Sequence, residues 1–141
     1  MNYQNVETIK QILEECKKIR ETDYPNGLPT GKAVITSGGN LKAGFVIHTV
    51  GPIYGMNQGR DAELLSSCYK NCLRLAAENN LATIAFPSIS TGAFYYPKPD
   101  AAKFSSLAIK EFLSQNNSVK KVRLVFFSPK DAELFIKNNY F

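Results

Sequence analysis

Val6, Ile9, Leu13 and Cys16 recur at helical spacing among charged residues, which predicts an amphipathic helix over residues 5–20. Asp23-Tyr24-Pro25-Asn26-Gly27 ends it, because proline and the Asn-Gly pair favour a turn. Two runs rich in β-branched residues follow on either side of Gly38-Gly39-Asn40: Ala33-Val34-Ile35-Thr36 and Phe45-Val46-Ile47-His48-Thr49-Val50. Both read as strands. Gly51-Pro52 closes the second, and a loop through Gly55 and Gly59 leads to Asp61, the expected N-cap of a helix reaching Asn79. The stripe Leu65, Cys68, Cys72 and Ala76 on that helix is expected to face a sheet.

Leu81 to Phe86 is almost continuously apolar, as in a parallel strand covered on both faces. Helix resumes near Asp100 with Phe104, Ala108 and Phe112 inward, Val122 to Phe127 reads as another buried strand, and Pro129 opens a short terminal helix. Alternating helices and strands predict one α/β domain over residues 1–141, with helices on both sheet faces. Ligands of such sheets bind beyond the carboxyl ends of the strands, where residues 87–97 leave the strand at 81–86.

Composition narrows the picture. With 44% apolar residues in 141, the chain can build a core. The net charge of +5 suits a phosphorylated ligand without demanding one. Cys16, Cys68 and Cys72 form no CxxC pair and the single His48 is distant in sequence, so neither a disulfide framework nor a metal site is expected. Cys68 and Cys72 read as packing residues of a protein in a reducing compartment. No apolar run approaches a membrane span, so a cytoplasmic location without membrane association is the expectation. The tyrosines and basic residues lack an RNP-like strand motif, and nucleic acid is not an expected partner.

The chemistry concentrates in Pro87-Ser88-Ile89-Ser90-Thr91-Gly92-Ala93-Phe94-Tyr95-Tyr96-Pro97. Small and hydroxylated residues let backbone N–H groups converge on an anion, with Gly92 allowing close approach or positive φ and the next helix offering its positive end. A diphosphate suits this chemistry, and so does an ordinary turn in which Ser and Thr make local caps. Other candidates have plainer readings: His48 as a satisfied structural histidine, and Asp61, Glu63 and Glu78 as caps or solvated helix positions. Gly27 to Ala33 fails the P-loop spacing.

Ile84-Ala85-Phe86-Pro87-Ser88-Ile89-Ser90-Thr91-Gly92 with Tyr96-Pro97 resembles the second ligand loop of macro domains, above all the branch acting on ADP-ribose esters and O-acetyl-ADP-ribose. Pro29 to Thr36, Val46 to Tyr54 and Leu64 to Leu73 resemble the central blocks of that family in order and spacing, and the likeness runs from about Glu14 to the end. The resemblance implies a three-layer α/β/α macro-type fold with a mixed, mostly parallel sheet of about four strands and four helices. It also implies that backbone amides of Ser90, Thr91, Gly92 and Ala93 wrap a diphosphate, with Phe94 against the ribose and Ser88 and Tyr95 beside them. The turn Phe127-Ser128-Pro129 would border adenine. Tyr95 departs from the small residue usual at its position, so a positive φ there would strain it by roughly 1 kcal/mol or more.

The same resemblance places the catalytic Asn and Asp residues and a glycine-rich loop before Glu14, where residues 1–13 contain neither glycine nor Asp. The expectation is an N-terminally truncated domain with no catalytic residue, no cofactor and no metal. The implied missing strand lies between those at 45–50 and 82–86, which would then pair directly or recruit a strand from a second chain. The expected function is weakened binding of ADP-ribose or a related phosphorylated ribose, with an ADP-ribosylated substrate as partner. The alternatives are a hydrolase of ADP-ribosyl esters or O-acetyl-ADP-ribose, and a non-binding remnant or strand-pairing module prone to self-association.

Overall fold

The computed structural model describes residues 3–141. Its elements are α1 (Tyr3–Thr22), β1 (Ala33–Ser37), β2 (Phe45–Thr49), α2 (Asp61–Glu78), β3 (Thr83–Pro87), α3 (Lys98–Gln115), β4 (Lys121–Val125) and α4 (Pro129–Asn138). Local chemistry sets the boundaries. Gly27 at φ 92° makes the turn after α1. Prolines lie in the first turns of α3 and α4, where a missing N–H costs nothing. Asp61 does not cap α2 as the sequence suggests: it lies inside the first turn, where its carboxylate accepts from Gly55 N (3.2 Å) and Asn57 Nδ2 (2.6 Å). Organising the preceding loop is its structural use.

Helix α2 is the spine. Leu65, Cys68, Cys72, Leu73 and Ala76 on one side of it are buried, and Tyr69 meets Phe86 of β3 with ring centroids 4.9 Å apart. Ile109 and Ala108 of α3 join this core, together with Val119 before β4. Desolvation raises the pKa of Cys68 and pushes that of Cys72 up to about 12, so both stay neutral packing thiols.

The macro-type layering of four helices and four strands matches the expectation, but the strands form two ladders instead of one sheet. β1 pairs antiparallel with β2 (Ile35 opposite Ile47), and β3 pairs parallel with β4 (Ala85 opposite Arg123). The direct pairing of residues 82–86 with the strand at 45–50 does not occur. Each ladder is seated separately on α2, and a cleft stays open between β2 and β3. The expectation that residues 81–86 and 122–127 are covered on both faces is also corrected. Ile84 and Phe86 turn inward, while Thr83, Ala85, Lys121, Arg123 and Val125 are exposed. Helix α1 packs on β1 and leaves that second face of β3 and β4 uncovered.

On the α1 side, His48 Nε2 lies 2.9 Å from Thr36 Oγ1 and 4.0 Å from Cys16 Sγ. Glu15 accepts from the backbone N–H and the hydroxyl of Ser37. These bonds tie α1 to the first ladder. No helix among the described residues is long and apolar enough to cross a membrane.

Candidate functional site

Residues 88–97 leave the carboxyl end of β3 and are pinned from below by Tyr69. Its hydroxyl donates to Pro87 O (3.4 Å) and accepts from Ile89 N (3.3 Å). Burial pushes its pKa up to about 12, so the donated proton stays in place. Within the loop Thr91 Oγ1 donates to Ser88 O (3.0 Å), Tyr95 N to Gly92 O (3.0 Å) and Tyr96 N to Ser90 O (2.9 Å). Tyr96 is the inner anchor: it is buried and meets Tyr54 edge-on at 5.1 Å between centroids. Its pKa is also pushed up to about 12, by burial first and then by the Asp61 and Asp100 carboxylates.

A second segment clamps the loop from the side of β2. Tyr54 N donates to Phe94 O (3.0 Å). Gly51, two residues past β2, fits so tightly that a Cβ there would stand 2.3 Å from Ser90 Oγ and 2.7 Å from Ile89 Cγ2. Only glycine permits that approach.

The loop keeps several donors free of protein acceptors. Thr91 N is bonded to Ser88 O at a long 3.5 Å, and Ile89, Tyr95 and Tyr96 have their acceptors, whereas the N–H groups of Ser90, Gly92, Ala93 and Phe94 have no protein acceptor among the described residues. Ser90 (φ 65°) and Tyr95 (φ 57°) hold the left-handed conformation that turns such N–H groups to a common side. Of the two uses read for Gly92, close approach or positive φ, the second does not occur. Gly92 instead sits exposed at the tip, with open space where a Cβ would be.

The cleft of about 730 Å3 beneath this loop is bounded by β2, β3 and α2. Ser88, Ser90 and Phe94 line it, while Thr91 lines a small neighbouring recess with Lys98, Asp131 and Phe135. Gly92, Ala93 and Tyr95 stand at the outer tip, and Tyr95 is 81% exposed. Ser128 lies in neither cavity lining. Its hydroxyl caps α4 by accepting from Asp131 N (3.2 Å), and Asp131 is held below the usual carboxylate range chiefly by Lys98, 2.6 Å away. Arg123 is the one Lys or Arg lining the larger cleft, no Asp or Glu lines it, and no metal-binding cluster occurs among the described residues. The sequence reading missed Phe45, Ile47, Thr49, Gly51 and Arg123 as cleft residues. Only Gly51, ending a strand beside Pro52, carried a local signal.

The chain has counterparts among known proteins. The family model described as Macro domain matches residues 8–105. The chain belongs to the macro domain family. A macro domain-containing protein of Caldanaerobacter subterraneus subsp. tengcongensis is 48% identical over 126 residues, covering 89% of this chain and 70% of that one. Another, from Chlorobaculum tepidum, is 44% identical over 128 residues, or 90% of this chain and 70% of the relative. Among solved structures, the Oceanobacillus iheyensis macrodomain with ADP superposes with a TM-score of 0.85 at 39% identity, over 90% of this chain and 67% of that one. The Trypanosoma brucei macrodomain in complex with ADP-ribose gives a TM-score of 0.77 at 30% identity, over 89% of this chain and 50% of that one.

Proposed function

We propose that this macro domain binds ADP-ribose or a related phosphorylated ribose, free or attached to a modified substrate, by holding its diphosphate on the loop 88–97. The observation that carries the reading is the set of N–H groups on Ser90, Gly92, Ala93 and Phe94 left without protein acceptors. Four such donors on one short loop beside the cleft match the needs of a diphosphate better than those of a neutral ligand. Phe94, between the loop and the cleft, supplies an apolar face for the ribose. Ser88 and Thr91 contribute hydroxyls nearby, Tyr95 offers an exposed ring at the rim, and Ser128 contributes backbone only, since its hydroxyl is committed to the cap. The complexes of relatives with ADP and ADP-ribose favour the same ligand class. Because no Asp or Glu lines the cleft, binding is better supported than hydrolysis. Affinity is expected to be modest, since the cleft is walled on one side by an open strand edge.

Isothermal titration calorimetry tests this. ADP-ribose should give saturable heat and adenosine none. Gly92→Glu meets open space, so it should fold normally yet lose binding at least tenfold, about 1.4 kcal/mol or more, by placing a carboxylate beside the donors. Absence of heat with millimolar ADP-ribose, or equal binding by the variant, would overturn the proposal.

A further inference from the structure

The ligand loop divides into a part that holds itself and a part that is held from outside. The turn carrying the free N–H groups is closed by its own bonds, from Thr91 Oγ1 to Ser88 O, from Tyr95 N to Gly92 O and from Tyr96 N to Ser90 O. The Phe94 carbonyl takes part in none of these. It accepts from Tyr54 N, 3.0 Å away on the segment that follows β2. The Tyr54 ring also stands edge-on to that of the buried Tyr96. Whatever fixes residues 53–57 therefore fixes the backbone at Phe94, whose side chain lines the cleft.

Packing does not fix that segment. Ile53, Tyr54, Gly55 and Met56 are all exposed, and Gly55 makes a left-handed turn at φ 81° with open space where a Cβ would be. Beside the bond from Met56 N to Ile53 O (3.2 Å), what holds it comes from α2. Asp61 accepts from Gly55 N (3.2 Å) with one carboxylate oxygen and from Asn57 Nδ2 (2.6 Å) with the other, and the same Asn57 amide donates to Ile53 O (2.7 Å). One carboxylate thus spans the segment, directly and through Asn57, and bonds to a charged acceptor are the stronger kind. The Asp61 charge also lies near enough to Tyr96 to help raise the pKa of its phenol, which sets the carboxylate beside the inner anchor of the ligand loop.

We propose that Asp61 is a positioning residue for ribose recognition: through Gly55, Asn57 and Tyr54 it fixes Phe94, and so sets the preference of the site for a ribose-bearing diphosphate over diphosphate alone. The inference rests on the nucleotide-binding reading above and adds a division of labour to it. The self-closed turn holds the diphosphate, and the Asp61 network holds the apolar face presented to the sugar. Affinity for the sugar then depends on how firmly that face is fixed before the ligand arrives.

The test compares ADP-ribose, by calorimetry, with inorganic diphosphate, by phosphorus NMR titration, on the unaltered chain and on Asp61→Asn. The variant should bind ADP-ribose about tenfold more weakly and inorganic diphosphate within about threefold of the unaltered chain. Removing a negative charge favours any anion, so a loss confined to ADP-ribose has no electrostatic explanation. Asn57→Ala keeps the charge, cuts the strut to Ile53 and should shift the ratio in the same direction, and the double variant should be little worse than Asp61→Asn because both act through one network. Without any ligand, the Tyr54 amide should exchange faster in either variant, since its bond to Phe94 O is loosened. Equal losses for the two ligands, an unchanged ratio in both variants, or unchanged exchange at Tyr54 would overturn the proposal. Failure of both ligands to bind the unaltered chain would instead remove the nucleotide-binding reading, and this use of Asp61 with it.

Discussion

Tyr95 holds φ 57° with its ring 81% exposed, so its side chain gains little packing to offset a left-handed backbone. Tyr95→Gly should stabilise the protein by about 1 kcal/mol, from relief of that strain less the added chain entropy of glycine, visible as a rise in thermal midpoint. Ser90 has a different defect: its hydroxyl is buried with no partner among the described residues. Ser90→Ala should be neutral or stabilising by about 1 kcal/mol in a urea melt. His48 supplies the pH dependence. Burial holds its pKa below the ordinary imidazole value, with Glu15 opposing the shift. As pH falls, the unfolded chain takes up the proton first, so stability is full above about 6.5 and declines below it. Urea midpoints at pH 7.5 and 5.5 should show that decline, reduced in His48→Gln. The Glu15 bond to Ser37 acts in the same direction at lower pH, because its folded pKa is depressed and its contribution is lost as pH falls through the acid range.

At the scale of elements, α4 tests how much one cap matters. Ser128 Oγ is its N-terminal acceptor, none of the residues of α4 is fully buried, and the other tie on its first turn is the bond from Lys98 to Asp131. Ser128→Ala should cost about 1 kcal/mol by thermal melt and expose residues 128–132 to faster amide exchange. The periodicity of the sequence located all eight elements to within a few residues, because α2 and α3 carry clear apolar stripes and the strands are bounded by Gly, Pro and Asn. It did not reveal which strands pair. Leu81 to Phe86 is apolar enough for a strand covered twice, yet Ala82, Thr83 and Ala85 are small enough to leave uncovered. The phosphate loop was legible through Ser90, Thr91 and Gly92, but the division of labour within it was not. Positive φ falls on Ser90 and Tyr95 because the bonds from Tyr96 N to Ser90 O and from Tyr95 N to Gly92 O close the turn there. The opposite clamp depends on Gly51, whose importance arises from proximity to a residue 39 positions away.

At the scale of the molecule, two ladders share one helix. Leu73 of α2 is fully buried in the core cluster that α2, α3 and β3 share, so Leu73→Ala should cost about 2–5 kcal/mol and lower the melting of both ladders together. Differential loss, seen as separate transitions by hydrogen exchange, would show that α2 does not couple them. The contact of Gly51 with Ser90, and the bond from Tyr54 to Phe94, carry a further consequence. They join the segment after β2 to the diphosphate loop, so a nucleotide held on the loop restrains residues 51–54 and, through them, the end of β2. Occupancy at the end of the second ladder thereby becomes visible on the first as slowed amide exchange, although no strand of one pairs with a strand of the other among the described residues.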